Sequence, residues 1–148
     1  MAKIFCVANQ KGGVGKTTTT VNLAAGLAKV GQRVLMVDLD PQGNATMGSG
    51  VDKRAMKLSV YDVLLESATV NEAAVFSEKC GYHVLGANRE LAGAEVELVE
   101  VERRERRLKQ ALAAVSEQFD FVLIDCPPSL SMLTLNGLCS AHGVIVPM

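Results

Sequence analysis

The sequence predicts an α/β fold in which a mostly parallel β-sheet is flanked by helices. Short apolar runs rich in Val, Ile and Leu recur along the chain, and helical or mixed sequence separates each run from the next. The runs are continuous rather than alternating in polarity, which is typical of strands that are covered on both faces. Alternation of such strands with helices favours parallel pairing through right-handed crossovers. In chain order, the predicted strands occupy residues 3–8, 33–39, 82–86, 119–125 and 143–148.

The length of 148 residues suits one domain with its own core. No repeat, low-complexity tract or linker divides the chain, so we expect a single domain over residues 1–148. The formal net charge of −1 provides no global basic field that would favour nucleic acid or an anionic membrane, although it is compatible with a local basic patch.

The four cysteines are scattered along the chain and form no C-x-x-C pair. This pattern indicates reduced thiols in a cytoplasmic protein and argues against a zinc site. Cys6 and Cys126 lie in or beside apolar strands, so we expect both to be buried. No signal peptide begins the sequence, and no apolar stretch is long enough to cross a bilayer, so we expect no membrane contact.

The longest helical pattern runs from about Leu91 to Gln118 and carries an apolar stripe on each half. Between the halves, residues 102–107 are dense in charge of both signs. One interpretation is a solvated helix face with charge pairs four residues apart. The alternative is a basic patch that faces a partner or DNA, which the interspersed acids weaken.

The segment from Gln10 to Thr18 predicts a phosphate-binding loop. It follows the first strand and precedes a helix that begins near Lys16 and has Gly31 as its expected C-cap. Glycines let consecutive backbone N–H groups turn towards phosphate oxygens, and a helix N-terminus adds its dipole to the same anion site. The alternative is a glycine-rich turn with two solvated lysines. A Rossmann-type dinucleotide site is disfavoured because G-x-G-x-x-G is absent.

This loop departs from the common pattern G-x-x-x-x-G-K-[ST] at two positions. Gln10 stands where the first glycine is expected, and an additional lysine, Lys11, precedes the glycine pair. We expect Lys16 to contact the β- and γ-phosphates, Thr17 to supply an oxygen to Mg²⁺, and Thr18 to reach the α-phosphate. The remaining predicted nucleotide-binding residues are Gly12, Gly13, Val14 and Gly15.

Two aspartates, Asp38 and Asp40, follow the second strand, and Pro41 and Gly43 place them at the start of a loop. In open α/β sheets the ligand crevice lies at the carboxyl ends of the strands. Either carboxylate would therefore lie near the γ-phosphate, where it would orient an attacking water or help to hold Mg²⁺. The alternative is an exposed turn that an aspartate caps.

Asp125 ends the fourth predicted strand, as the acidic residue of a Walker B motif does. We expect it to act on Mg²⁺, and we expect the loop that starts at Pro127 and Pro128 to respond to the γ-phosphate. The alternative is that Asp125 caps a helix that begins at Ser129. The sequence then ends on a hydrophobic strand, which would leave a sheet edge uncovered. This favours a fragment of a longer protein, incomplete at its C-terminus, over an edge covered by another chain.

Together, residues 11–18, 38–46 and 124–130 resemble the motifs of the ParA/Soj chromosome-partitioning ATPases. These belong to the deviant Walker A group of P-loop NTPases, with MinD, the nitrogenase iron protein and the arsenite-pump ATPases. The resemblance implies that Lys11 reaches the phosphates of a partner subunit and that Gly12 lets the two loops approach. It also implies that Asp40 positions the hydrolytic water and that Asp125 acts through the Mg²⁺ shell.

The resemblance further implies an ATPase cycle. The family forms an ATP-dependent sandwich homodimer that binds DNA without sequence preference, and a ParB-type partner stimulates its slow hydrolysis. Members are longer than this chain, so DNA binding is expected of the full-length dimer, which would be cytoplasmic and nucleoid-associated when ATP is bound. Two alternatives are a related ATPase that positions other cellular cargo and a truncated, non-catalytic nucleotide-binding paralogue.

Overall fold

In the computed structural model of the protein, the described residues are 2–8, 16–128 and 131–146. Six strands form one sheet within these residues, in the spatial order β3-β4-β2-β5-β1-β6. All five predicted strands are present, most of them one or two residues shorter than expected. The strands are β1 Lys3–Val7, β2 Val34–Asp38, β3 Val75–Ser77, β4 Tyr82–Leu85, β5 Phe121–Asp125 and β6 Gly143–Ile145.

The sheet is parallel except at one edge, as the sequence predicts. β5 lies between β2 and β1, and both neighbours run parallel to it. The register places Asp38 of β2 and Val7 of β1 on either side of Asp125. Three strands therefore end at the same level, which is the crevice edge of a parallel sheet.

The helices are mostly short. α1 is the longest, and Gly31 follows it with a φ of 89°, the left-handed conformation expected of its C-cap. The helices are α1 Lys16–Lys29, α2 Asn44–Gly48, α3 Val60–Leu64, α4 Val70–Ala73, α5 Leu91–Glu97, α6 Arg107–Ala113 and α7 Met132–Ser140, with 3₁₀ turns at Leu98–Glu100 and Arg104–Arg106.

Each face of the sheet has its own apolar core. On one face, α1 packs over a smaller cluster that includes Met36 and Leu123. On the other face, α3, α5, α6 and α7 cover a larger cluster that includes Leu35, Val37 and Ile124. Because both faces are covered, the central strands are apolar at consecutive positions rather than at alternate ones.

The predicted helical segment from Leu91 to Gln118 is not one helix. The backbone is extended at Val101 and left-handed at Arg103, whose φ is 54°. Asn136 of α7, which is fully buried, explains the break: its amide donates to the Arg104 carbonyl and accepts from the Leu108 backbone N–H. The chain therefore bends around α7, although the apolar stripes on both sides of the bend are buried as predicted.

The charged segment 102–107 does not form the expected helix face. Arg107 pairs with Glu66, 2.5 Å away on the α3–α4 connection, and Arg104 donates to the Val99 carbonyl. Pairing four residues apart within one helix is thus replaced by one contact to a distant segment and one to a nearby carbonyl. The alternative of a partner-facing basic patch remains open, since most of this segment is exposed.

The two edges of the sheet differ. β3 was not predicted; it is a three-residue strand that pairs antiparallel with β4. Among the described residues β6 forms the other edge, and Val144 and Val146 are 50% and 60% exposed there. Within the part of the chain that is described, no helix has the length and apolarity needed to cross a membrane.

Candidate functional site

A buried ion pair occupies the crevice edge of the sheet. Lys16, the first residue of α1, places its Nζ 2.9 Å from Oδ1 of Asp125, the last residue of β5. Lys16 is 2% exposed and Asp125 is not exposed at all. Lys16 and Asp125, which belong to two motifs far apart in the sequence, are therefore in direct contact.

Two threonines of α1 complete the surroundings of Asp125. The Thr20 hydroxyl donates to Asp125 Oδ1 over 2.9 Å, and the Thr17 hydroxyl donates to Oδ2 over 3.4 Å. Thr17 was predicted, whereas Thr20 was not. Thr20 lies four residues after Lys16 and therefore on the same face of α1. Helical periodicity is the sequence feature that would have predicted its contact with Asp125.

Burial raises the pKa of Asp125, and the charge of Lys16 opposes that shift. The buried Lys16 ammonium lies 2.9 Å from Asp125 Oδ1, and no other acceptor among the described residues is bonded to it. A lysine ammonium carries three N–H donors. The pair therefore fits a bound anion, since phosphate oxygens can accept these donors.

Asp38 is fully buried, and its carboxylate accepts three hydrogen bonds from residues that follow β2. Its Oδ1 accepts from the Asp40 backbone N–H, and its Oδ2 accepts from both the backbone N–H and the hydroxyl of Thr46. Burial raises the pKa of Asp38 to about 7, and the charge of Asp125 adds to the rise while the Thr46 and Asp40 donors oppose it. Both oxygens of Asp38 are thus engaged within the loop that follows β2.

Thr46 is a second site residue that the sequence analysis missed. Besides binding Asp38, its hydroxyl accepts from the Ala87 backbone N–H, which joins α2 to the segment after β4. Gly43 shows how closely these segments approach, because a Cβ there would lie 2.7 Å from the Ala87 carbonyl oxygen. Gly43 also has a φ of 69°, which favours glycine.

Asp40 lies just beyond Asp38 and is 8% exposed. Its Oδ1 accepts from the Gln42 backbone N–H, so the carboxylate is oriented by its own turn. It is close enough to Asp125 for its charge to raise the pKa of that carboxyl. The structure therefore brings Asp38, Asp40, Asp125 and Lys16 together, as the motifs predict.

Several predicted site residues lie outside the described residues. They are Lys11, Gly12, Gly13, Val14 and Gly15. Thr18 is described and lies exposed on α1.

The connection from β5 to α7 bears on the other interpretation of Asp125. α7 begins at Met132, and its N-cap is Ser131, whose hydroxyl accepts from the Thr134 backbone N–H. A second carboxylate, Glu95 of α5, accepts from the first two N–H groups of this helix. Asp125 instead bonds to side chains of α1, so it is not the cap of α7.

The site contains side chains that could bind a metal ion together with a phosphate group. Among residues 2–8, 16–128 and 131–146, no three His, Cys, Asp or Glu side chains are grouped to hold a metal ion. A hydroxyl and a carboxylate in contact, Thr17 and Asp125, are the donor types that Mg²⁺ takes when phosphate oxygens and water supply its other ligands.

A family model described as an AAA domain matches residues 2–148. The sporulation initiation inhibitor protein Soj of Bacillus subtilis is 51% identical over 148 residues, which are 100% of this chain and 58% of Soj. The chromosome partitioning protein ParA of Myxococcus xanthus is 46% identical over 148 residues, 100% of this chain and 52% of ParA. The chain thus spans just over half the length of these relatives.

The fold also matches solved structures. A crystal structure of cobyrinic acid a,c-diamide synthase from Mycobacterium smegmatis, with bound ADP and magnesium, superposes with a TM-score of 0.97 at 51% identity. The match covers 100% of this chain and 60% of that protein. With the model match over residues 2–148 and the full-chain similarity to Soj and ParA, the chain belongs to the AAA domain family and, within it, to the ParA/Soj group of P-loop proteins.

Proposed function

We propose that the protein is a ParA-type ATPase that binds ATP with Mg²⁺ and slowly hydrolyses it to ADP and phosphate. The observation that carries the proposal is the buried Lys16–Asp125 pair at the carboxyl end of the sheet, at the first turn of α1. A buried lysine beside a helix N-terminus is suited to a nucleotide polyphosphate, because both the charge and the helix dipole favour an anion there. Similarity to Soj and ParA supports the same function.

In this proposal Thr17 and Asp125 hold Mg²⁺, Thr17 through its hydroxyl and Asp125 through water. The ion would neutralise negative charge that develops on the phosphates during transfer. Asp38 is less suited to this role, since its two oxygens already accept three hydrogen bonds inside the loop. Asp40 is the better candidate for an additional contact.

Asp40 would orient the attacking water. Its carboxylate accepts from the Gln42 N–H, and Asp40 keeps some exposure to solvent whereas Asp38 and Asp125 have none. Asp38 would act indirectly, because its bond to the Asp40 N–H sets the position of the Asp40 backbone. An acceptor held rigidly near the γ-phosphate lowers the barrier by positioning, and phosphoryl transfer depends mainly on positioning and charge stabilisation.

The proposed active site is finished by a second subunit. Lys11 would cross an ATP-dependent sandwich dimer to the partner's phosphates, and Gly12 would allow the two loops to approach. Replacement of Lys11 by Ala is expected to abolish ATP-dependent dimerisation and hydrolysis while the monomer still folds. Unchanged sedimentation of the ATP-bound species in the Lys11→Ala variant would contradict this role.

We further propose that the ATP-bound dimer of the whole protein binds DNA without sequence preference in the cytoplasm, on the nucleoid. A ParB-type partner would stimulate hydrolysis and release the dimer, so that the cycle partitions a chromosome or plasmid. The test is the ATPase rate with DNA and the ParB-type protein together, compared with either alone. A related ATPase that positions other cargo would respond to a different partner.

The central experiment compares Lys16→Ala with Lys29→Ala. Both lysines lie on α1, but Lys29 is exposed in its last turn. Lys16→Ala is expected to lose ATP binding and hydrolysis, and Lys29→Ala to retain both. Thermal unfolding of each variant separates loss of the site from loss of the fold. Hydrolysis by Lys16→Ala at the wild-type rate would exclude the proposed function.

Two other candidates predict different results in the same assays. A truncated, non-catalytic paralogue would bind ATP in calorimetry without turnover, or would bind none. The M. smegmatis protein named a cobyrinic acid a,c-diamide synthase raises the candidate of an ATP-dependent amide-forming enzyme. That activity would make ATP hydrolysis depend on a carboxylic acid substrate and a nitrogen donor rather than on DNA.

A further inference from the structure

Glu95 joins α5 to the start of α7 through two hydrogen bonds. Its Oε2 accepts from the Met132 backbone N–H over 2.9 Å, and its Oε1 accepts from the Leu133 backbone N–H over 3.1 Å. Glu95 itself is only partly exposed. The carboxylate therefore occupies the first two N–H groups of a nine-residue helix from a different part of the chain.

This contact does more than a local cap requires. The N-cap Ser131 already satisfies the Thr134 N–H, as a serine at this position usually does. Glu95 adds a negative charge at the positive end of the α7 dipole and two charge-assisted hydrogen bonds. The start of α7 is thus fixed in position relative to α5, beyond being stabilised as a helix.

The start of α7 matters because the chain arrives there directly from the proposed active site. Asp125 ends β5, and the Leu39 N–H and Val7 carbonyl fix the strand end through bonds to the Asp125 carbonyl and the Cys126 N–H. Pro127 and Pro128 restrict the backbone that follows. The connection between residues 126 and 131 therefore has one end held by the sheet and the other held by Glu95.

α5 is also linked to the segment after β2 whose residues bind Asp38. The chain leaves β4 through Ala87, whose N–H donates to the Thr46 hydroxyl that binds Asp38, and it enters α5 a few residues later. Through α5, Glu95 thus connects the loop after β2 with the connection after β5. Asp40 lies in the first of these segments, and Asp125 immediately precedes the second.

We propose that Glu95 is a positioning residue for ATP hydrolysis, which fixes the connection between Asp125 and α7. This rests on the proposed ATPase function. Glu95 touches neither the proposed nucleotide nor Mg²⁺; it acts through the Met132 and Leu133 amides. Loosening of the α7 start would let the connection shift, and misplacement of groups around a reacting phosphate lowers turnover more than binding.

The test compares three variants of the intact protein. Glu95→Ala removes both acceptors, whereas Glu95→Gln keeps the size but replaces one acceptor with an N–H₂ group that faces a backbone donor. Glu97→Gln is the matched control, because Glu97 lies exposed on the same helix and accepts a hydrogen bond from the Tyr61 hydroxyl rather than from α7. The measurements are kcat, KM for ATP, thermal unfolding, and amide hydrogen exchange at Met132 and Leu133.

We expect Glu95→Ala to lower kcat about tenfold with KM little changed, and to speed exchange at both amides, because two charge-assisted bonds are lost. Glu95→Gln should lie between Glu95→Ala and the wild type, and Glu97→Gln should match the wild type. Faster exchange with unchanged kcat would overturn the proposal and leave Glu95 as a structural cap. Unchanged exchange would also overturn it. Failure of the ATPase proposal is distinguishable, since the wild type itself would then not hydrolyse ATP.

Discussion

Asp125 and Asp120 stand at opposite ends of the β5 segment, and each pairs with a basic residue in a very different environment. Asp125 faces Lys16 at 2.9 Å, with both side chains buried. Asp120 faces Arg33 at 3.0 Å, and those side chains are 34% and 60% exposed. The Asp125 pair is therefore shielded from water, as a binding site requires, whereas the Asp120 pair is screened by solvent.

Replacement of Asp125 by Asn should destabilise the nucleotide-free protein far more than replacement of Asp120 by Asn. Loss of Asp125 leaves the Lys16 ammonium buried without its counter-charge, which typically costs about 3–5 kcal/mol. Loss of Asp120 leaves Arg33 in water, so its effect should be small. Urea unfolding at neutral pH gives both changes in the free energy of unfolding. Equal effects of the two substitutions would contradict the buried character of the Lys16–Asp125 pair.

The contact between Lys16 and Asp125 was predictable from the sequence, because each residue stands at the end of a helix or strand. Lys16 begins a helix after a glycine loop, and Asp125 ends an apolar strand, so chain pattern alone predicts that they meet. Thr46 and Glu95 gave no such signal. Each acts through a contact to a distant segment, with Ala87 or with Met132 and Leu133, and only the tertiary structure defines those pairs.

Asp38 should make the stability of the nucleotide-free protein fall as pH rises from about 4 to about 7. Its pKa is about 7 in the folded chain and near 4 when unfolded, so the folded state binds more protons in this window. The stability contribution is complete below the unfolded pKa and is lost as pH rises through the folded pKa, with a slope of up to roughly 1 kcal/mol per pH unit.

The variant Asp38→Asn cannot ionise and should flatten this pH dependence, even if it lowers stability at every pH. Chemical unfolding at several pH values in the absence of nucleotide and Mg²⁺ provides the comparison. A wild-type profile that rises with pH over this window would show that Asp38 ionises readily in the folded protein.

Thr46→Val should destabilise the protein by about 1–3 kcal/mol, although the two side chains have nearly the same shape. The Thr46 hydroxyl donates to the buried Asp38 carboxylate and accepts from the Ala87 N–H. Its removal therefore deprives each of these two buried groups of one hydrogen bond. Thr46→Ser keeps the hydroxyl and should recover most of the loss. A Thr46→Val variant as stable as Thr46→Ser would contradict the prediction, because it would show that the two hydrogen bonds of the hydroxyl do not dominate the contribution of Thr46.

The fold was predictable where local pattern and tertiary packing agree. The central strands and α1 have long apolar patterns, and Gly31 ends α1 in the conformation that its type favours. The segment from 91 to 118 kept its apolar pattern yet bends, because the Asn136 side chain takes the place of helix hydrogen bonds at Arg104 and Leu108. β3 has only three residues, too few for a periodic signal.

Gly137 and Gly26 should respond in opposite ways to replacement by Ala. Both lie inside helices, so each replacement gains about 0.5–1 kcal/mol of helix propensity. A Cβ at Gly26 meets nothing within 4 Å, so Gly26→Ala should stabilise the protein by about that amount. A Cβ at Gly137 would lie 2.8 Å from the Cys126 Sγ and 3.2 Å from the Leu39 Cδ1.

Gly137→Ala should therefore destabilise the protein, because forcing a methyl group into a filled core costs about 1–3 kcal/mol, more than the helix propensity returns. Cys126 offers a direct check on the cause. If the contact with its sulfur is responsible, the double variant Cys126→Ala with Gly137→Ala should be more stable than the sum of the two single changes predicts. If the changes in the free energy of unfolding simply add, the contact with Cys126 is not the cause. Another contact of Gly137 would then explain the loss of stability.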